Sequence, residues 1–207
     1  MGQRIVVYPQ SPQKRKIKQV AEILKEGGVA IFPTDSVYAM GVAFSRKDAI
    51  EKLCELKRIE PAKATFSIIC SNFSQLSEYV APMDKATFRL LKKHLPGPFT
   101  FILPASAKIP RTFLNRRHTI GIRIPNDPVP IAIVEELGEP LITTSLYDEE
   151  DDIKGYMTDP MEIFDRYGKI VDIIVDAGPR GTTPTTVVDL TGNEPVVVRQ
   201  GAGELLL

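Results

Sequence analysis

Small hydroxyl and cationic side chains recur at the ends of apolar runs in this sequence. Thr34, Asp35 and Ser36 interrupt the run that ends at Phe32-Pro33 and resumes at Val37-Tyr38, and Thr143-Thr144-Ser145 close the run Pro140 to Leu146. Thr185-Thr186 open a third run, while Arg123 and Arg199 stand in or at the end of two more. A pocket built from these groups has no strong nucleophile or base. It suits carboxylates, phosphates and an amino acid, because guanidinium groups grip oxyanions through paired N–H donors. Pattern alone admits a second reading: threonine is a good strand former, Thr34-Asp35-Ser36 is ordinary turn chemistry, and Arg123 and Arg199 then face solvent. His94 and His118 lie beside Lys93 and Arg117 in what read as exposed, cationic settings without a catalytic partner. Cys54 and Cys70 lack metal-ligand spacing and read as reduced core residues, so no metal site is expected.

These groups need elements to position them. With 207 residues, 43% of them hydrophobic, the chain supports one well-buried domain spanning 1–207. Lysine and arginine together number 26, as do aspartate and glutamate, so net charge gives no general attraction to nucleic acid or membrane. No signal peptide follows Met1 and no apolar run is long enough to span a bilayer, which predicts a soluble, cytoplasmic protein. Arg4 to Pro9 reads as a strand, and Ser11-Pro12 as the cap and first turn of a helix carrying Ile17, Val20, Ala21 and Leu24. Ser45 and Asp48 resemble a weakened capping box before a second helix that ends at Lys57-Arg58. Further helices are predicted over 72–80, 84–94, 127–137 and from Asp159-Pro160, with strands over 66–70, 99–103, 119–125, 140–146, 171–175, 185–190 and 195–199. Asp148-Glu149-Glu150-Asp151-Asp152 reads as a surface loop. Helices and strands interleave, but the last strands lack intervening helices, so the fold class is α/β with a mixed sheet. Neither a G-x-G-x-x-G nor a G-x-x-x-x-G-K-[ST] loop is present.

Five motifs resemble those of the YrdC/YciO family, relatives of the threonylcarbamoyl-AMP synthases of tRNA modification, and most closely its YciO branch. PTDSVYAMG resembles the family's P-T-[ED]-[ST]-x-Y-x-[LM]-G, PGPFTFIL its P-G-P-x-T-x-x-L, and IGIRIPNDP its G-x-R-x-P-x-x-P. TTVVDLT and VVRQGAG resemble its [ST]-T-V-[VI]-D-x-T and R-x-G-x-G. The resemblance implies a YrdC-like fold, a twisted mixed sheet enclosing a wide, cation-lined cavity. It implies a nucleotidyltransferase that condenses L-threonine, bicarbonate and ATP, with Mg2+, to threonylcarbamoyl-AMP and pyrophosphate for the t6A37 modification of tRNA. By the same resemblance Thr34 and Tyr38 line the amino-acid end, Arg123 holds the threonine carboxylate, and Thr185 or Thr186 bonds the substrate. Lys57 then contacts the ATP phosphates, Ser145 the nucleotide and Arg199 the phosphate end; the catalytic set is Lys57, Arg123 and Thr34.

Two departures fall on the ATP side. The synthases carry K-x-R where this chain reads Lys57-Arg58-Ile59, and S-x-N where it reads Ser145-Leu146-Tyr147, followed by the five acids. They motivate an alternative to the enzyme: a non-catalytic double-stranded RNA-binding or ribosome-associated factor that uses the same cavity.

Overall fold

A computed structural model of the chain describes residues 2–60, 65–110, 118–146 and 155–206. Tyr147 and the acidic run 148–152 lie outside the described residues.

The period-two runs form strands β1 (Gln3–Val6), β2 (Ala30–Phe32), β3 (Ala39–Ala43), β4 (Ser67–Ile69), β5 (Phe99–Pro104), β6 (Thr119–Arg123), β7 (Leu141–Ser145), β8 (Ile173–Asp176), β9 (Thr186–Asp189) and β10 (Val196–Arg199). The helical stripes form α1 (Lys14–Lys25), α2 (Lys47–Leu56), α3 (Phe73–Tyr79), α4 (Lys85–His94), α5 (Pro128–Leu137) and α6 (Pro160–Tyr167). One sheet holds all ten strands in the order β1-β8-β2-β3-β7-β4-β6-β5-β9-β10. It is mixed, as the sequence predicts: β1 and β2 flank β8 in parallel and β4 runs parallel to β6, whereas β3–β7, β5–β6 and β9–β10 are antiparallel.

Helix starts follow local capping chemistry in part. Asn72, Asp84, Asp127 and Asp159 each accept a backbone N–H from the first turn of α3, α4, α5 and α6. Two predicted caps do not form. α1 begins two residues later than Ser11-Pro12 implies, with Gln13 at its cap and no side-chain capping bond. The Ser45–Asp48 box is replaced by tertiary partners, because Ser45 donates its hydroxyl and backbone N–H to the Glu139 carboxylate and Asp48 pairs with Arg46.

Alternation splits the core into two layers. On one sheet face Ile31, Met40, Val42, Ile68, Ile122 and Ile174 pack with Leu53 of α2, Leu76 of α3, Leu91 of α4 and Ile163 of α6. On the other, Ala30, Phe32, Ala39, Ala43, Ile69 and Leu141 pack under Val20 and Leu24 of α1 and Ile133 and Leu137 of α5. Cys54 and Cys70 are buried and unpaired. Among the described residues no helix is long and apolar enough to cross a membrane.

Helices α1 and α5 stop short of covering their face. Ala43, Leu141, Ile69 and Arg123 lie opposite one another across β3, β7, β4 and β6. The next row on the same face is Gly41, Thr143, Ser67, Gly121 and Ile102. The first of these rows is closed by apolar packing up to Ile69; the second is small or hydroxylic from Gly41 to Gly121 and apolar only at Ile102. Arg123 therefore sits where a covered core gives way to an open floor.

Candidate functional site

The open floor is a cavity of about 400 Å³, lined by residues of β4, β5, β6, β7, β9 and β10. Gly121 gives it depth: a Cβ there would come within 3.0 Å of the Ser67 Cβ and 3.1 Å of the Thr100 Cγ2. Hydroxyls of Ser67, Thr100, Thr143, Thr144, Ser145 and Thr185 line one part, and Phe66, Ile102, Val187 and Val198 another. Arg123 and Arg199 bring the cationic charge.

Arg123 is held from one side only. Its Nη2 donates to Asp35 Oδ1 at 3.0 Å and reaches Ser36 Oγ at 3.3 Å and Thr34 Oγ1 at 3.4 Å. Asp35 is fixed in turn, since its Oδ2 accepts the Asn126 backbone N–H at 2.8 Å. Both side chains of the ion pair are nearly inaccessible, at 8% and 7%. Thr34 closes its own turn, donating its hydroxyl to Val37 O at 2.7 Å while accepting the Ser36 N–H at 3.2 Å. The apolar run, its proline break and the hydroxyl-carboxylate-hydroxyl turn are thus one device for seating a guanidinium. Arg123 Nε is buried and has no hydrogen-bond partner among the described residues. Burial pulls this guanidinium below the ordinary arginine range; the Asp35 carboxylate opposes that, and the charge of Arg199 adds to it.

Arg199 is seated differently. It lies on the exposed strand β10 and donates from Nε at 3.2 Å and Nη2 at 2.9 Å to the backbone oxygen of Thr185. Thr185 completes the link, accepting from Arg199 Nη2 at 3.2 Å and sharing a hydrogen with Thr100 Oγ1 at 2.8 Å.

Of the residues assigned by resemblance, Arg123, Ser145, Thr185 and Arg199 face this cavity together. Thr34 touches it only through Arg123, and itself lines a neighbouring, more open cleft with Asp35, Ser36, Asp127 and Arg180. Tyr38 is fully buried elsewhere: its hydroxyl donates to Gly178 O at 2.8 Å, and burial pushes the phenol up to about 12. Thr186 points away from the cavity because neighbours on a strand face opposite sides. It accepts the N–H groups of Gly201 and Gly203 and donates to Gly203 O at 2.5 Å. That clamp explains the glycines of the final motif, since a Cβ on Gly203 would overlap the Phe99 ring. Lys57 caps α2 and is not among the described lining residues.

His94 corrects the sequence expectation of an exposed histidine. It is buried against Phe99, its Nδ1 2.8 Å from Leu90 O and its Nε2 accepting the Leu206 N–H at 2.9 Å. The apolar neighbours that bury it come from β5 and the carboxy-terminal segment, distant in sequence. Arg123 likewise excludes the solvent-facing reading of that residue. The sequence places Asp35 in the Thr34-Asp35-Ser36 cluster without assigning its partner, and it assigns no role to Ser67 or Thr100. Thr100 and Ile102, between the buried Phe99, Phe101 and Leu103, left a period-two signal that marks an open face on β5. Among the described residues no group of three or more histidine, cysteine, aspartate or glutamate side chains is placed to hold a metal ion.

The model of the family named Sua5_yciO_yrdC, described as "Telomere recombination", matches residues 22–201. The chain belongs to the Sua5/YciO/YrdC family. It is 42% identical over 206 residues to the uncharacterized protein YciO of Escherichia coli K12, covering 99% of this chain and 98% of that one. The crystal structure of E. coli YciO superposes with a TM-score of 0.92 over 99% of this chain and 98% of that one. A threonylcarbamoyl-AMP synthase from Nitrosococcus oceani is 33% identical over 130 residues, 63% of this chain and 70% of that protein. Sua5 of P. abyssi, in a crystal structure complexed with L-threonine, gives a TM-score of 0.86 at 26% identity over 96% of this chain and 57% of that one. The family thus includes threonylcarbamoyl-AMP synthases, and the YrdC-like fold inferred from the motifs is the one observed.

Proposed function

We propose that this chain condenses L-threonine, bicarbonate and ATP into threonylcarbamoyl-AMP, supplying the t6A37 modification of tRNA. One observation carries the reading: a guanidinium held through Nη2 by Asp35, Thr34 and Ser36, and nearly inaccessible as a side chain, lines the cavity that also holds Arg199. A guanidinium fixed at a cavity wall offers oriented N–H groups to an oxyanion, and a ligand carboxylate matches that fork. The relative crystallised with L-threonine supports an amino acid as that ligand.

In this scheme the threonine carboxylate pairs with the Arg123 guanidinium, leaving the amine free to add to bicarbonate or its CO2. Carbamate formation from bicarbonate releases water, and a carbamate oxygen attacks the α-phosphorus as the bond to pyrophosphate breaks. Such chemistry depends on placement and charge neutralisation more than on a protein base. Arg199, backed by the Thr185 carbonyl, neutralises phosphate charge, and the Thr144, Ser145 and Thr185 hydroxyls orient the nucleotide. ATP enters as its Mg2+ complex, the metal travelling on phosphate oxygens.

The test is to titrate purified protein with Mg-ATP, with and without L-threonine and bicarbonate, and to weigh the products. A threonylcarbamoyl-adenylate mass above the enzyme-free blank is expected. Failure of every combination to bind nucleotide overturns the proposal and makes salt-dependent RNA binding the next measurement.

A further inference from the structure

Asp35 does more than sit beside Arg123. Its two oxygens are committed to different partners, Oδ1 to Arg123 Nη2 and Oδ2 to the Asn126 main chain, so the carboxylate cannot swing away from the guanidinium without breaking a backbone bond. Two further oxygens, from Thr34 and Ser36, crowd the same Nη2. Nη2 is therefore committed to the protein and Nε is sealed, so Arg123 meets the cavity with the remainder of its guanidinium. Formal charge at this end of the cavity cancels within the ion pair, whereas Arg199 donates to neutral oxygens of Thr185. The cavity has a neutral, deeply buried end and a cationic, exposed end.

We infer that Asp35 is a positioning and specificity residue: by neutralising Arg123 and locking its plane, it makes the buried end accept one carboxylate and reject phosphate, so the substrates bind in a single orientation. The inference rests on the proposed function for the identity of the two ligands. Its physical basis is repulsion. A polyanion drawn to Arg123 would lie within a few ångströms of a carboxylate that burial leaves poorly screened, whereas a monoanion bonded to the guanidinium meets less of that repulsion. Mispositioned ATP, with its phosphates at Arg123, is thereby excluded without any bulky residue. This matters in a cavity whose floor row is otherwise small side chains.

The experiment measures binding of L-threonine and, separately, of inorganic pyrophosphate to the full chain by calorimetry, in the native protein, Asp35→Asn and Asp35→Glu, with thermal melts of each. Asp35→Asn is expected to bind threonine about tenfold more weakly and pyrophosphate about fivefold more tightly, because one buried positive charge is unmasked. Asp35→Glu keeps the charge but moves it, so threonine weakens while pyrophosphate stays within about twofold of native. A merely structural role would weaken both ligands together, and that result, or unchanged pyrophosphate binding by a folded Asp35→Asn, overturns the inference. Should Asp35→Asn not fold, the paired Arg123→Met, Asp35→Leu variant decides, since it removes the ion pair at constant net charge. It should lose threonine and keep native pyrophosphate affinity; a large loss of pyrophosphate would place phosphate at Arg123 and sink the idea. Native protein that ignores threonine, with pyrophosphate still tightened by Asp35→Asn, would discard the synthase reading and leave the charge role standing.

Discussion

Arg123 and Arg199 face one cavity from β6 and β10, yet Arg123 is sealed against a carboxylate at the edge of the helix-covered core while Arg199 rides an exposed strand and leans on a carbonyl. The contrast separates two ways of presenting positive charge. A buried pair is fixed before the ligand arrives and carries folding energy with it. An exposed cation costs the fold little and serves mainly the ligand.

Removing each guanidinium tests that separation most directly. Arg123→Met strands the Asp35 carboxylate in a buried setting and should lower unfolding free energy by about 3–5 kcal/mol in urea titrations. A midpoint equal to the native one would erase the distinction between the two ends. Next in size is Thr186→Val, which leaves Gly203 O and two backbone N–H groups without their hydroxyl partner; about 1–3 kcal/mol should be lost. Since Thr186 clamps the segment following Arg199, that loss would show that the exposed end is stabilised through backbone bonds and not through its cation. Arg199→Met should then change stability by less than about 1 kcal/mol while weakening pyrophosphate about tenfold. Comparable loss of stability from Arg199→Met and Arg123→Met would break the comparison.

The smallest effects are pH slopes near and far from the site. Burial raises the Asp127 carboxyl, against the pull of the Val129 N–H and Arg180, in the cleft it shares with Asp35. Its folded-state pKa then exceeds the unfolded one, the native state holds more protons, and stability falls as pH climbs from the ordinary carboxylate range through the raised value. For Asp172 burial also pushes upward, but Lys52 and the Val29 N–H outweigh it and hold the group low. Its contribution is present above the ordinary carboxylate pKa and is lost as pH falls through the lowered one. Denaturant melts across acid pH should therefore show Asp127→Asn and Lys52→Met removing slopes of opposite sign. Equal signs would contradict the assigned shifts.

Much of this was legible locally. Asp84, Asp127 and Asp159 announce helix starts because a cap needs only its own chain two or three residues on. The stripe Ile17, Val20, Ala21 and Leu24 fixes the buried face of α1 through helical periodicity alone. Ser45 misled because Glu139, 94 residues away, outbid the local box for its hydroxyl. His94 misled for the same kind of reason, its cover arriving from Phe99 and Leu206.

The residue types at the site, Thr34, Arg123, Ser145, Thr185 and Arg199, stood in the sequence with their motifs, and the mixed sheet followed from the order of apolar runs. Which of them meet was decided by strand register. Thr143 lies beside Ser67, Ser67 beside Gly121, and Ile69 beside Arg123, over separations no local pattern encodes. That register places a charged side chain at the border of core and cavity and turns Thr185 inward and Thr186 outward. It also brings Asp35 onto Arg123, 88 residues away. Local spacing sets which face a side chain takes within its own element; only long-range pairing sets what stands opposite, and the chemistry of this site lies in what stands opposite.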